Sequence, residues 1–381
     1  MRSTEREGEK PIKHHVAIFL PTLVGGGAER VMMNLAVGLE KRGHQVDFIL
    51  AQREGAFSDD LPASVHQVEL NQRHLRFGRS VLSLPALVKY LRKEKPEVLL
   101  TGLHANIIAL WAKKISKMPI RFVITEHNNL SIAQKTKALW YRLPSSFFIK
   151  SNYPDADSII AVSNGVAQDL CNYANLPNEK IKVIYNSIIT SDLKLKSNES
   201  LDHPWFQKDQ PPVILAIGGL TQQKDFAMLL NAFELVREQM PVRLMILGEG
   251  PERQTLLSRI KDLNLQDEVI LPGFIHNPYP IIKKASVFAL SSRWEGLPTV
   301  LVEALYCGTP IVSTDCPSGP KEILQNGKFG ELVPVGNHIA FADALLKILK
   351  NPPLNASSDS WKIFETEFVL DQYEQLLFAE H

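Results

Sequence analysis

At 381 residues, with 45% hydrophobic and 22% charged side chains, the chain is too long for one ordinary domain and carries core material for two. No apolar run reaches the roughly eighteen residues of a membrane span, and the polar start MRSTEREGEKPIKHH lacks the apolar stretch of a secretion signal, so neither spanning nor export is expected. The net charge of +1 masks a basic region: residues 71–150 hold 15 Lys+Arg against 3 Asp+Glu, a balance of +12 that leaves −11 for the rest.

Residues 16–20 read as a first strand, followed by LPTLVGGGAER, a helical pattern over 28–42 closed by Gly43, and a second strand over 45–50. Gly25, Gly26 and Gly27 would let the backbone approach a phosphate or sugar closely; a flexible turn is the plain alternative. The dinucleotide fingerprint is met only in part. The glycines are contiguous, Arg30 replaces the third spaced glycine, and Asp47 falls inside the second strand instead of at its end.

Next comes RHLRFGRSVLSLPALVKYLRKEK, which joins basic side chains to an apolar set of Phe77, Val81, Leu82, Leu84, Leu87, Val88 and Leu91. Two readings share that pattern: a helix lying on anionic lipid, or an amphipathic helix packed on its own domain with a solvated basic face. No nucleic-acid-binding module accompanies the charge, so nucleic acid is not an expected partner.

Strands over 65–70, 98–101, 121–125, 158–162 and 182–185, with helical stretches between them, extend the alternation into a doubly wound α/β domain. His127 stands just past the strand IRFVITEH, at the end where open α/β sheets hold ligands, and His104 has a similar place after VLLTGL. Asp155-Ala156-Asp157 spells a pair of metal-binding aspartates, but it precedes its strand and so belongs to the opposite end of the sheet; no metal site is expected. Cys171, Cys307 and Cys316 match no metal or redox spacing and fit a reducing cytoplasm.

Polar composition over 193–210 and Pro211-Pro212 mark a domain junction, after which the architecture restarts. A strand over 213–217 leads to Gly218-Gly219 and a helix over 224–239, then to the strand VRLMILG, the turn GEGP, a helix through Lys261 and a strand over 269–271. Lys224, at the entry of its helix, is placed to meet a phosphate as a point charge. Residues 286–308, SVFALSSRWEGLPTVLVEALYCG, form the stretch richest in chemistry. A buried strand over 287–290 runs into a turn, and Pro298 suits the first position of a helix whose positive end makes an anion seat. Glu295 and Glu303 frame that seat, and carboxylates beside an anion call for hydroxyls or amides. A nucleotide sugar offers a diphosphate for the helix end and hydroxyls for the acids; solvated surface glutamates are the plain alternative. Strands over 310–313 and 330–333, a helix over 337–349 and a final apolar helix over 360–380, carrying Trp361, Phe364, Phe368, Tyr373, Leu376 and Leu377, complete the chain.

VGGGAER, TEHN, IGGLTQQKD, GEGP and EGLPTVLVEALYCGTPIVSTD, in this order over nearly the whole chain, resemble the family 4 retaining glycosyltransferases of the GT-B fold. The finer likeness is to bacterial enzymes that extend lipopolysaccharide core, O-antigen, capsule or polyprenyl-diphosphate-linked glycans. The resemblance implies two Rossmann-like doubly wound domains facing a central cleft, with residues 1–195 binding acceptor and 196–357 binding a nucleotide sugar, UDP-linked by the finer likeness. A helix in 358–381 would cross back over the junction. It implies that Glu295 reaches donor-sugar hydroxyls and Glu303 the ribose, that Lys224 meets the diphosphate, and that His127 lies near the transferred sugar. Gly25, Gly26 and Gly27 would form the amino-terminal donor/acceptor loop, Gly296, Leu297, Pro298 and Thr299 the turn at the helix end, and Glu249, Phe274 and Ile275 walls of the base pocket. In one place the sequence departs from the pattern. Where the family commonly has Gly-Arg-Leu, this chain has Gly218-Gly219-Leu220, so the second diphosphate clamp is missing unless Arg293 or Lys321 replaces it.

Retaining transfer in this fold implies same-face attack without a covalent nucleophile, no metal and no cofactor beyond the nucleotide sugar, and no nucleophile–base constellation stands out here. A lipid-linked acceptor and the basic 71–150 region together lead us to expect a cytoplasmic protein peripherally bound to the inner face of the membrane. Two other readings stay open: a catalytically weak or inactive relative acting as a nucleotide- or glycan-binding scaffold, and a nicotinamide oxidoreductase.

Overall fold

The computed structural model describes residues 13–24, 26–55, 57, 60–70, 82–135, 139–352 and 360–379. Gly25, and Arg76, Phe77, Arg79 and Val81 of the basic segment, lie outside these.

The apolar runs of the sequence become two parallel sheets. In the first, β1 (His15–Leu20), β2 (Gln45–Leu50), β3 (His66–Glu69), β4 (Val98–Gly102), β5 (Arg121–Glu126), β6 (Ser158–Ala161) and β7 (Ile181–Val183) lie in the order β3-β2-β1-β4-β5-β6-β7. In the second, β8 (Val213–Ile217), β9 (Arg243–Leu247), β10 (Val269–Gly273), β11 (Val287–Leu290), β12 (Ile311–Thr314) and β13 (Glu331–Val333) lie in the order β10-β9-β8-β11-β12-β13. Continuous apolar strands such as VAIFL, whose five residues are all fully buried, are what a sheet covered on both faces requires. Around the second sheet, Phe226, Leu229, Leu230 and Phe233 of the helix Phe226–Arg237 pack with Ile214, Leu244, Ile246, Phe341 and Leu345.

In both sheets the strand order reverses once, between β1 and β4 and between β8 and β11. The loops leaving two strands that diverge in this way part and open a crevice at the carboxyl ends, the usual ligand position in doubly wound folds. Beside β8 and β11 those loops carry Lys224 and Glu295.

By contact density the described residues fall into two compact units. One takes those up to Thr125 with 155–158 and those from Tyr373 onward; the other takes 126–154 and 159–372. Within the first unit Glu374 accepts hydrogen bonds from Arg42 Nη1 at 2.7 Å and His44 Nε2 at 2.9 Å, and the Phe378 ring stacks on His14. The helix Leu84–Glu94 buries Leu87, Val88 and Leu91 and leaves Lys89, Arg92 and Lys93 exposed, so its apolar stripe is core rather than a lipid-facing surface. Asp155 and Asp157 are engaged in structure: Asp157 accepts from Lys113 Nζ and the Phe122 N–H, and Asp155 pairs with Lys114.

Two local expectations need correction. Pro298 is the N-cap of its helix, which begins at Thr299, rather than its first helical residue. The final helix begins at Thr366: residues 362–364 form a separate 3-10 turn, the Phe364 carbonyl accepts from the Ile188 and Ile189 N–H groups, and extended Glu365 bridges Ile189.

Candidate active site

In the second unit, the loop after β11 folds so that Glu295 points inward and is buried at 5% exposure. Its Oε1 receives Lys224 Nζ and Ser292 Oγ, each at 2.6 Å, and its backbone N–H donates to the Pro317 carbonyl at 3.0 Å. Gln223 Nε2 holds the neighbouring Trp294 carbonyl at 3.0 Å. Lys224 is pinned in turn by its carbonyl, which accepts from Ser291 Oγ at 2.6 Å. An ammonium group has three donors, so pairing with Glu295 leaves Lys224 able to meet a second anion.

The helix Thr299–Cys307 starts at the end of the same loop. Its N-cap Pro298 makes no side-chain cap and takes up the Leu301 N–H through its carbonyl at 3.1 Å, which leaves the Thr299 and Val300 N–H groups and the positive helix end for an anion. Glu303 lies on this helix at 5% exposure. Solvated surface glutamates are therefore excluded for both acids: each sits where it must be satisfied by neighbours or by a ligand's hydroxyls.

Glu249, Phe274 and Ile275 sit at the tips of β9 and β10. The Gly248 N–H donates to the Gly273 carbonyl at 2.8 Å, which draws the two tips together. Gly248 has φ +132°, and a Cβ there would lie 2.1 Å from the Gly218 carbonyl oxygen, so the close approach of the β8 and β9 loops needs glycine. Arg253 Nη1 steadies the Glu249 carboxylate at 3.3 Å, and the Phe274 ring, 44% exposed, lies edge-on to His276 with centroids 6.2 Å apart. Arg293, one substitute for the missing arginine, is held by Asp225, with Nε to Oδ2 at 2.7 Å; Lys321 lines a separate cavity beside Glu322.

His127 also belongs to this unit. Its carbonyl stands so close to Gly296 that a Cβ on that glycine would lie 1.9 Å from the carbonyl oxygen. Burial pushes the imidazole down to about 4, so it is neutral at pH 7. Its neighbour Glu126 is buried and pushed up to about 8 by loss of solvent, although Tyr153 Oη donates to its Oε2 at 2.9 Å and the His127 and Asn128 N–H groups favour the charged form. Gly26 and Gly27 belong to the first unit, as N-cap and first residue of the helix Gly27–Lys41; Glu29 on that helix is buried and accepts from the Gly26 N–H. His104 is exposed in a short 3-10 turn after β4.

The second unit thus brings Lys224, Glu295, Gly296, Leu297, Pro298, Thr299 and His127 into one constellation. Glu126, Ser163, Ser292 and Glu322 were not singled out by the sequence reading. Glu126 adjoins a chosen histidine, and Ser163 opens a helical pattern as Ser-Asn-Gly; the roles of Ser292 and Glu322 depend on pairings that local patterns do not carry.

The two sheets and this constellation define a GT-B glycosyltransferase. Family models for "Glycosyltransferase Family 4" and "Glycosyl transferases group 1" match residues 25–192 and 198–360, and the chain belongs to these glycosyltransferases. It is 32% identical over 347 residues to the N-acetylgalactosamine-N,N'-diacetylbacillosaminyl-diphospho-undecaprenol 4-alpha-N-acetylgalactosaminyltransferase of Campylobacter jejuni, covering 89% of this chain and 91% of that protein. It is 29% identical over 364 residues to the lipopolysaccharide core biosynthesis glycosyltransferase LpsE of Rhizobium meliloti, covering 93% and 96%. Among solved structures, Anabaena HepE in complex with UDP and glucose matches with a TM-score of 0.78 at 20% identity, over 96% of this chain and 100% of that one.

Proposed function

We propose that this glycosyltransferase moves a hexose or N-acetylhexosamine from a UDP-sugar to a lipid-linked glycan, with retention of anomeric configuration and without a metal ion. The observation that carries the reading is the Lys224–Glu295 pair at the start of a helix with no side-chain cap: a cation and the Thr299 and Val300 N–H groups for a diphosphate, beside a buried carboxylate for sugar hydroxyls. Glu303 would accept from the ribose, and Glu249, Phe274 and Ile275 would wall the base. The named activities of the Campylobacter and Rhizobium relatives support a lipid-linked acceptor, and the UDP in Anabaena HepE supports the donor.

In this mechanism charge builds on the departing diphosphate as the sugar–oxygen bond breaks. Lys224 and the N–H groups of the Thr299–Cys307 helix are aimed at that charge before it forms, which lowers the barrier at no cost in reorganisation. The diphosphate oxygen takes the proton of the acceptor hydroxyl attacking on the same face. Neutral His127 would orient the transferred sugar.

Among the described residues no group of three or more His, Cys, Asp or Glu could hold a metal ion, and no helix is long and apolar enough to cross a membrane. The basic 71–150 region would bring the protein to the cytoplasmic membrane surface through charge, since the stripe of the helix Leu84–Glu94 is buried.

The test is to incubate the protein with UDP-, GDP- and ADP-sugars, an undecaprenyl-diphosphate-linked acceptor and a chelator, and to read the anomeric configuration of the product by NMR. The expected product is α-linked from a UDP-α-sugar with full turnover in chelator. An inverted product, or transfer restored only by a divalent cation, contradicts the mechanism. Gly219 in place of an arginine keeps the catalytically weak scaffold as a second reading, and UDP binding without turnover on any acceptor would favour it.

A further inference from the structure

Glu322 lies in the short helix Pro320–Ile323, yet its carboxylate is committed to a segment more than 150 positions away in the same unit. Oε1 accepts from the Gly165 N–H at 3.0 Å. Oε2 accepts from the Asn164 N–H at 2.9 Å, from Asn164 Nδ2 at 2.9 Å and from Tyr185 Oη at 3.3 Å. An acid thus occupies the positive end of the helix Asn164–Ala174, although that helix already has its own cap: Ser163 Oγ accepts from the Val166 N–H. Ser163 meets the Val166 N–H and Glu322 meets the two before it, so this helix start is completed only by an acid from a remote segment.

The segments that Glu322 joins are the two that hold the 295–299 loop. On one side Ser163, next to Asn164, donates its hydroxyl to the Gly296 carbonyl at 2.9 Å. On the other, the 315–319 loop leading into the Glu322 helix accepts the Glu295 N–H at Pro317, and Gly319 lies so close to Pro298 that a Cβ would sit 2.4 Å from its Cδ. Asn129, two residues past His127, reaches Ser318 Oγ at 3.4 Å. Glu322 therefore fixes the spacing between the strand tips that carry Ser163 and His127 and the loop that carries Glu295. A cavity of about 770 Å³ lies against this junction, lined by Asn164, Tyr185, Ser318, Lys321 and Glu322 among others, so water can enter if the carboxylate is removed.

We infer that Glu322 is a positioning residue for glycosyl transfer: by tying the 163–165 segment to the 315–322 segment it holds His127 in register with the donor loop. The inference rests on the transfer reading above. It separates two quantities. Lys224, Glu303 and the Thr299–Cys307 helix are joined to the loop without passing through Glu322, so nucleotide binding should survive its loss while transfer should not.

Glu322→Gln and Glu322→Ala, with Glu322→Asp as the charge-retaining control, test this by UDP affinity, by kcat for transfer and by hydrogen exchange. The expected result is UDP affinity within about threefold of wild type and kcat lowered at least tenfold in Gln and Ala, with partial recovery in Asp. Exchange should rise at Asn164 and Gly165 and also at residues 127–129 and 295–297. A fall in UDP affinity that matches the fall in kcat, or exchange that rises at Asn164 and Gly165 alone with kcat unchanged, overturns the inference. If wild type transfers no sugar, the functional reading fails instead, and the exchange pattern still decides whether Glu322 couples the two segments.

Discussion

Gly219 offers a gain-of-function test. The family pattern has arginine at this place, and the backbone here accepts a side chain: a Cβ on Gly219 would meet only the Glu249 carbonyl oxygen and Thr221 Cγ2, both at the ordinary contact distance of 3.8 Å, and its φ lies outside the left-handed region. Gly218 is the opposite case, since a Cβ there would lie 2.9 Å from Lys224 Cε and push the lysine aside. A charged hydrogen bond to phosphate is worth about 1.5–3 kcal/mol, and each 1.4 kcal/mol is about a factor of ten. Gly219 is exposed, and the partly exposed Glu249 carboxylate competes for a new guanidinium, so the lower end applies: Gly219→Arg should tighten UDP binding by about tenfold. Calorimetric titration with UDP, and kcat/KM for the donor, measure it. Gly219→Ala should change nothing, and Gly218→Arg should weaken binding. A folded Gly219→Arg protein that binds UDP no better than wild type, or a Gly218→Arg protein that binds it better, would refute the placement of the diphosphate beside Lys224 and the β8 loop.

Lys224→Ala and Glu303→Ala should each lower turnover by about a hundredfold while the melting profile stays cooperative, and near-native turnover in either would remove that residue from the site. Glu126 should leave a mark on stability. Folded, it keeps its proton up to about pH 8; unfolded, it loses it near its ordinary value of 4.5, so unfolding releases a proton across that window. Its contribution therefore falls as pH rises from about 4.5 to about 8, by at most about 1.4 kcal/mol per pH unit. Urea titrations between pH 5 and 8 should show Glu126→Gln gaining on wild type as pH rises, and parallel profiles would contradict the buried protonated acid. His127 acts with the opposite sign: neutral when folded, it costs stability as pH falls from about 6.5 toward about 4, and His127→Gln should lose less on acidification. Finally, the protein should cosediment with anionic vesicles at low salt and be released at 1 M, where the Debye length is about 3 Å against about 10 Å at 0.1 M. Charge reversal at Arg76, Arg79, Arg92 and Lys93 should abolish the effect, and equal binding to neutral vesicles would speak against it.

Much of this was legible in the sequence because buried parallel strands and amphipathic helices leave strong local patterns: 45–50, 213–217 and 287–290 were read to the residue. Lys224, Glu295 and Pro298 were visible because loops after strands are where doubly wound sheets carry ligands. What was hidden is non-local. The same apolar stripe serves a lipid-facing and a core-facing helix, and only the burial of Leu87, Val88 and Leu91 separates them. Residues 360–365 have helical composition, yet the Phe364 carbonyl is taken by the Ile188 and Ile189 N–H groups and Glu365 bridges Ile189, so only a 3-10 turn forms before Thr366. Glu322 reads as a surface acid in a four-residue helix until Asn164 and Gly165 are brought against it, and nothing local marks Gly296 as the point where the His127 carbonyl arrives.

The claim on which the account turns is that a nucleotide diphosphate sits at Lys224 and the start of the Thr299–Cys307 helix, and a crystal structure of the protein soaked with UDP tests it most directly. The account predicts the diphosphate within hydrogen-bond distance of Lys224 Nζ and first-turn N–H groups of that helix, with Glu303 on the ribose. UDP bound elsewhere, or a diphosphate out of reach of Lys224, would contradict it.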